Sequence, residues 1–203
     1  MAAPKLDISL RQARKLLDDL RATHSEVKNL QPKLQRFVAE ILFLRAHDIF
    51  IETVADIAYR LVAGSVYMNG STPSLIVGSS SIAASRGVLL TSGRTVPRQN
   101  LKWAKAKEIK DSVAPAIQTQ EPYIQAVDAY SANIADFTYV RNVIAHRNSQ
   151  SRKNFKTVLR KYYGANCKIS AGAFLLTERK WTRCKLLDFT SQMKVVLQEL
   201  CKG

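Results

Sequence analysis

The opening stretch, MAAPKLDISLRQARKLL, has no unbroken apolar run and carries a charge every few residues. That argues against a signal peptide or a membrane-spanning helix there, and leads us to expect a cytoplasmic protein with no membrane partner. Cysteine is scarce: Cys167, Cys184 and Cys201 are odd in number and far apart, a pattern for reduced thiols rather than for a disulfide framework. No CxxC or HxxxH pair suggests a metal site, so neither a metal nor a cofactor is expected. The chain also lacks the Pro/Gly bias of disordered proteins, any internal repeat and any coiled-coil run. Acidic residues are few as well, 16 against 31 lysines and arginines.

What is present is 46% hydrophobic residues in a chain of 203, enough for one substantial core. We therefore expect a single domain over residues 1–203, with an inserted loop at about 64–97. The net charge is +15, and residues 141–187 alone carry twelve basic side chains and one acidic one. A field of that sign attracts polyanions, because neutralising phosphates releases condensed counterions. Nucleic acid leads as the partner, while a merely solubilising surface or an acidic protein partner fits the same charge.

Leu6, Leu10, Ala13, Leu17 and Leu20 recur at four- and three-residue steps, the stripe of an amphipathic helix. Pro32 interrupts it and can open the next helix. From Leu34 to Val62, with Leu34, Phe37, Val38, Ile41 and Leu42 all apolar, little polar surface remains, so this helix should be central. His47 and Asp48 fall inside it, where we expect a buried histidine with a satisfied hydrogen bond in preference to a catalytic role. Between Gly64 and Pro97 a Gly/Ser-rich loop contains the apolar runs Leu75 to Val77 and Val88 to Leu90, candidates for short strands, and Arg86, Arg94 and Arg98, which could reach a nucleic-acid backbone. Helical character resumes over Leu101 to Ile117, again through YIQAVDAYSANIADFTYVRNVIAHRN, and then from Phe155 to a stop at Gly164. Ile169 to Leu176 reads as a short extended piece and Leu186 to Leu200 as a closing helix.

Val127, Tyr130, Ile134, Phe137 and Arg141 lie on one line of that middle helix, so an arginine continues the apolar stripe. Asn142 follows it, His146 comes five residues after it, and the basic half of the chain begins there. Residues five apart on a continuous helix are turned by about 140°, so the helix is expected to loosen or end near Ala145 and let His146 turn inward. A helix-terminal Arg and His can also simply cap carbonyls and interact with the helix dipole.

The segment RNVIAHRN resembles the motif of the HEPN family, an arginine followed by a polar residue and then a histidine. LRAHDIFIE at the centre of the long helix, FKTVLRKYYG and the AFLL segment extend the likeness towards the RiboL-PSP branch. The resemblance implies an all-α, HEPN-like helical bundle, here carrying a long insertion. It implies a metal-independent endoribonuclease working as a homodimer with a composite active site, plausible as a toxin or antiviral defence effector restrained by an antitoxin or regulatory protein. The alternative is a non-catalytic HEPN-like module that binds nucleic acid or protein.

The residue types fit RNA cleavage without a metal. Such cleavage removes a proton from a 2′-hydroxyl, supports charge on a five-coordinate phosphorus and protonates the leaving 5′-oxygen to leave a 2′,3′-cyclic phosphate. His146 would be the general base or acid, Arg141 the phosphate stabiliser and Asn142 a helper. Arg147, Arg152 and Lys153 would bind flanking phosphates.

Overall fold

The first apolar stripe folds as its spacing predicts: α1, Leu6–Glu26, buries Leu6, Leu10, Ala13 and Leu17 and leaves Leu20 half-buried. Each leucine so buried contributes about 2 kcal/mol from area removed from water. The computed structural model describes residues 4–165, 167–178 and 183–203, and is all-α in class. Arg179 and Lys180 of the basic stretch lie outside the described residues.

Pro32 sits in the first turn of α2, Pro32–Val62, where its missing N–H costs nothing. This 31-residue helix is central, packing against α1 and four later helices. Most of the apolar side chains in its last two thirds are buried, but Leu34, Phe37 and Ile41 are 45%, 56% and 47% exposed. The expectation of little exposed surface fails at this end because only one face of the helix is covered there, and Leu34, Phe37 and Ile41 form an apolar stripe on the uncovered side.

The insertion contains a helix where strands were candidates. Val88 to Leu90 belong to α3, Ile82–Thr91, whose N-cap Ser81 accepts the Ala84 N–H. Leu75 makes one antiparallel bridge to Ile117, the remnant of an extended piece. The loop is tied down by polar contacts: Glu121, 6% exposed, accepts from Tyr67 Oη at 2.9 Å and from the Ser74 N–H at 2.7 Å. Ser85 Oγ donates to Tyr59 O at 2.8 Å and fastens α3 to α2.

The helix expected over Leu101 to Ile117 is shorter, α4, Ala106–Val113. The one expected through the motif is two: α5, Pro122–Ala129, and α6, Ser131–His146, broken at Tyr130 (φ −101°, ψ 14°). The tyrosine ends one helix and caps the next, a kink that periodicity cannot register because Val127, Ile134 and Phe137 are buried all the same. Then come α7, Ser149–Tyr163, stopped by Gly164 at φ 71°, and α9, Lys185–Lys202, preceded by α8. Helix α8, Ala171–Leu175, replaces the expected extended piece, with the Ser170 hydroxyl accepting the Ala173 N–H.

Phe189 of α9 joins the layers. Its ring lies 5.7 Å from Phe43 of α2, 5.5 Å from Phe137 of α6 and 6.0 Å from Phe174 of α8, in tilted or edge-on contacts that favour the ring quadrupoles. At Gly172 a Cβ would stand 2.5 Å from Arg36 O, so α8 approaches the α2 backbone as only glycine allows.

Candidate active site

The motif stands at the tip of a helical hairpin. Buried Asp136 of α6 accepts from Lys161 Nζ at 2.5 Å and from Tyr162 Oη at 3.2 Å, both on α7, and so locks the two helices side by side. The turn between them is built by the motif's own last residues. Arg147 ends α6 in the left-handed region (φ 48°, ψ 19°), and Asn148 caps α7 by accepting the Ser151 N–H at 2.8 Å. Arg147 is the one non-glycine residue with positive φ among those described.

His146 is the last residue of α6 and is exposed, while Arg141 and Asn142 are half-buried. The helix therefore ends one residue after Ala145, at the expected place, but it does so without loosening first and without turning the histidine inward. The two groups meet because the arginine side chain is long enough to run along the helix to its end: Arg141 Nη1 lies 3.0 Å from His146 Nε2 and 3.2 Å from Asn142 Oδ1. A guanidinium has donors only, so this contact requires a lone pair on Nε2 and places the imidazole proton on Nδ1. With Oδ1 committed to the guanidinium, Asn142 can offer an incoming phosphate only its amide N–H groups. Nη1 is the one Arg141 nitrogen in a hydrogen bond among the described residues, which leaves the other donors of the fork for an anion.

The expected phosphate-binding residues divide. Arg147 and Arg152 line a cavity between α6, α7 and the approach to α8, whereas Lys153 is exposed on α7 outside that lining. Arg147 pairs with Glu40 of α2 at 3.3 Å, and Glu40 also accepts the Gly172 N–H at 3.0 Å. Lys156 and Lys168 join the same lining and were not singled out in the sequence. Lys156, four residues after Arg152 on one helix, could have been found from helical spacing; nothing local pointed to Lys168 or Glu40.

Of the loop arginines, Arg94 is engaged, donating to Leu89 O at 3.1 Å and Asp111 O at 2.9 Å, and so tying α3 to α4. Arg86 is exposed and Arg98 half-buried.

His47 departs from its expected role. It is 2% exposed, and neither ring nitrogen meets a hydrogen-bonding partner among the described residues. Burial, aided by the positive charge of Arg141, pushes its pKa down to about 4, so it is held as a neutral imidazole. Burial also pushes the Cys201 thiol up to about 12, and Cys167, Cys184 and Cys201, all among the described residues, form no disulfide. Among the described residues no three His, Cys, Asp or Glu side chains converge as metal ligands would, and no helix is long and apolar enough to cross a membrane. No protein-family model matches the chain, and neither a curated protein nor a solved structure matches it.

Proposed function

We propose that the protein is a metal-independent endoribonuclease of the HEPN kind, with Arg141 and His146 as its catalytic pair. The observation that carries this is the 3.0 Å contact between Arg141 Nη1 and His146 Nε2 at an exposed helix end. The same hairpin carries Arg147, Arg152 and Lys156, and the pair offers two of the three things RNA transesterification needs, a proton acceptor and a fixed positive fork.

In the proposed reaction RNA enters over the helix end and its phosphate takes the donors of Arg141. The imidazole exchanges its contact with the guanidinium for the 2′-hydroxyl, and Nε2 accepts that proton. The 2′-oxygen attacks phosphorus, the P–O5′ bond breaks, and a proton returns to the leaving 5′-oxygen. The products are a 2′,3′-cyclic phosphate and a 5′-hydroxyl. Arg141 opposes the charge that grows on the phosphorane oxygens, a contribution that strengthens towards the transition state.

A second copy of the chain would set its own His146 on the other side of the phosphate in a two-fold composite site. That imidazole, starting as imidazolium and released from its arginine, would give the leaving 5′-oxygen its proton while the first keeps the one it took. The stripe Leu34, Phe37 and Ile41 supports such pairing: it is apolar, exposed and on the same helix as Glu40, which touches Arg147. Restraint by an antitoxin-like partner belongs to the same reading.

The test is incubation of purified protein with RNA in excess EDTA. Cleavage to cyclic-phosphate ends is expected, with resistance of a substrate bearing a 2′-deoxy sugar at the cut site. RNA that is bound but never cut would favour a non-catalytic binding module instead.

A further inference from the structure

A cavity of about 580 Å³ opens between α6, α7 and the segment leading into α8; Arg141 and His146 do not line it, but Val143, Ile144 and Arg147 of the same segment do. Its floor is apolar: Val143 and Ile144 from α6, Phe155 and Leu159 from α7, with Ile169 and Ala171 opposite. Arg147, Arg152, Lys156 and Lys168 also line it, and Glu40 is its one acidic side chain among the described residues. Glu40 is already engaged, its two oxygens accepting from Gly172 N at 3.0 Å and Arg147 Nη2 at 3.3 Å.

The two halves of this lining select a ligand. An apolar molecule would leave Arg152, Lys156 and Lys168 unmatched, and a bare anion would leave the floor without a partner. A nucleotide satisfies both, with a flat heterocycle against the apolar floor and a phosphate towards the lysines and arginines. The volume is of the size that encloses one small organic group rather than a stacked helix of bases. Val143 and Ile144 lie between Arg141 and His146 in the chain, so cavity and catalytic pair share the last turns of one helix.

We propose that this cavity is a nucleotide subsite, receiving one unpaired base of a single-stranded RNA beside the phosphate that is cut. The identity of the strand as substrate rests on the ribonuclease reading; the fit of a base with its phosphate does not. The subsite makes the protein select unpaired RNA, since a base held in a duplex cannot enter the cavity.

Cys167 is a built-in reporter, because it lines the cavity and is half-buried while Cys184 and Cys201 are buried. The experiment follows alkylation of Cys167 in the full chain by N-ethylmaleimide, using mass spectrometry. The probe is a 2′-O-methyl octaribonucleotide, which cannot be cut because its 2′-oxygens carry no proton. Saturating octamer is expected to slow alkylation about tenfold, as occupancy of a site excludes reagent in proportion to ligand over Kd. An abasic octamer with the same phosphates should protect at least about fivefold less, the loss expected when a base is removed from its contact surface. Lys168→Ala and Lys156→Ala, both on exposed side chains, should shift protection to higher octamer concentration, each variant being read against its own unliganded alkylation rate because a cation beside Cys167 favours the reactive thiolate.

Equal protection by the abasic octamer overturns the proposal, as does absence of protection at concentrations where fluorescence anisotropy shows the octamer bound. Failure of the octamer to bind at all overturns it too. Cleavage of natural RNA by the same preparation separates the two readings. Protection without cleavage keeps the subsite and removes the ribonuclease; cleavage without protection does the reverse.

Discussion

Arg141 Nη1 and His146 Nε2 stand 3.0 Å apart although the two residues lie five positions apart on an unbroken helix. The guanidinium reaches the helix end that the histidine occupies, and it does so as a donor. A lysine at the position keeps the charge but loses the planar fork. Arg141→Lys is therefore expected to lower RNA cleavage by about 10²-fold, close to the loss for removing one transition-state donor. His146→Ala should abolish it, with unchanged circular dichroism in both variants. Wild-type rates in Arg141→Lys would remove the arginine from the chemistry.

The left-handed Arg147 makes a second, opposite kind of prediction. A side chain at φ 48° carries a steric cost of about 1 kcal/mol or more that glycine avoids. Its ion pair with Glu40 has a 68% exposed arginine and offsets little of that, about 0–1 kcal/mol. Arg147→Gly should thus leave thermal stability unchanged or raise it by about 1 kcal/mol, while the salt dependence of RNA binding loses about one phosphate contact. A drop in Tm would show that the Glu40 contact matters more to the fold than the strain.

Gly172→Ala tests the seat of α8. The added Cβ would meet Arg36 O at 2.5 Å, and backbone cannot step aside as a side-chain tip can. A loss of about 1–3 kcal/mol is expected from overpacking, read by urea denaturation. Full stability in that variant would mean that α8 can shift away from α2 freely.

His47 predicts a pH dependence of stability. Its folded pKa of about 4 lies below the unfolded value of 6.5, so the unfolded chain binds the proton more readily between those limits. The stability is complete above about pH 6.5, declines as the pH falls, and has lost on the order of 3 kcal/mol by about pH 4. His47→Leu removes both the titration and two unpartnered polar atoms, and should flatten this slope while matching or exceeding wild-type stability at pH 7. An unaltered slope from pH 6.5 to 4 would assign the acid sensitivity elsewhere.

Phe37→Glu addresses the exposed stripe on α2. If a second copy seats there, light scattering should find the wild type dimeric and the variant monomeric, with cleavage lost although His146 is untouched. The variant should fold normally, since the ring is 56% exposed. A monomeric wild type that still cuts RNA would remove the composite site.

Much of this architecture is legible in local pattern. The stripe of α1, Pro32 at the start of α2, Gly164 at the end of α7 and the buried line Ile134 to Phe137 all follow from periodicity and terminal residues, because each depends on neighbours within one or two turns. The errors share a cause. Val88 to Leu90 and Ile169 to Leu176 are short apolar runs, which fit a strand or a helix equally well until Ser81 and Ser170 are seen to cap them. Tyr130 breaks a helix without disturbing its hydrophobic register. Arg94 and Arg98 looked alike on paper, and only the proximity of α4 shows that Arg94 is engaged.

The amino-acid order alone determined that the chain is helical, that its positive charge is concentrated after residue 140, and that Arg141, Asn142 and His146 fall together at the end of one helix. These are matters of short-range spacing and of charge count. Tertiary packing decided that His146 faces outward, that His47 is enclosed without a partner, and that Glu40, Lys156 and Lys168 gather with Arg147 around one cavity. Those outcomes depend on which helices cross and how closely, as where Gly172 lets α8 sit against Arg36, and no local rule carries a contact between residues so distant along the chain.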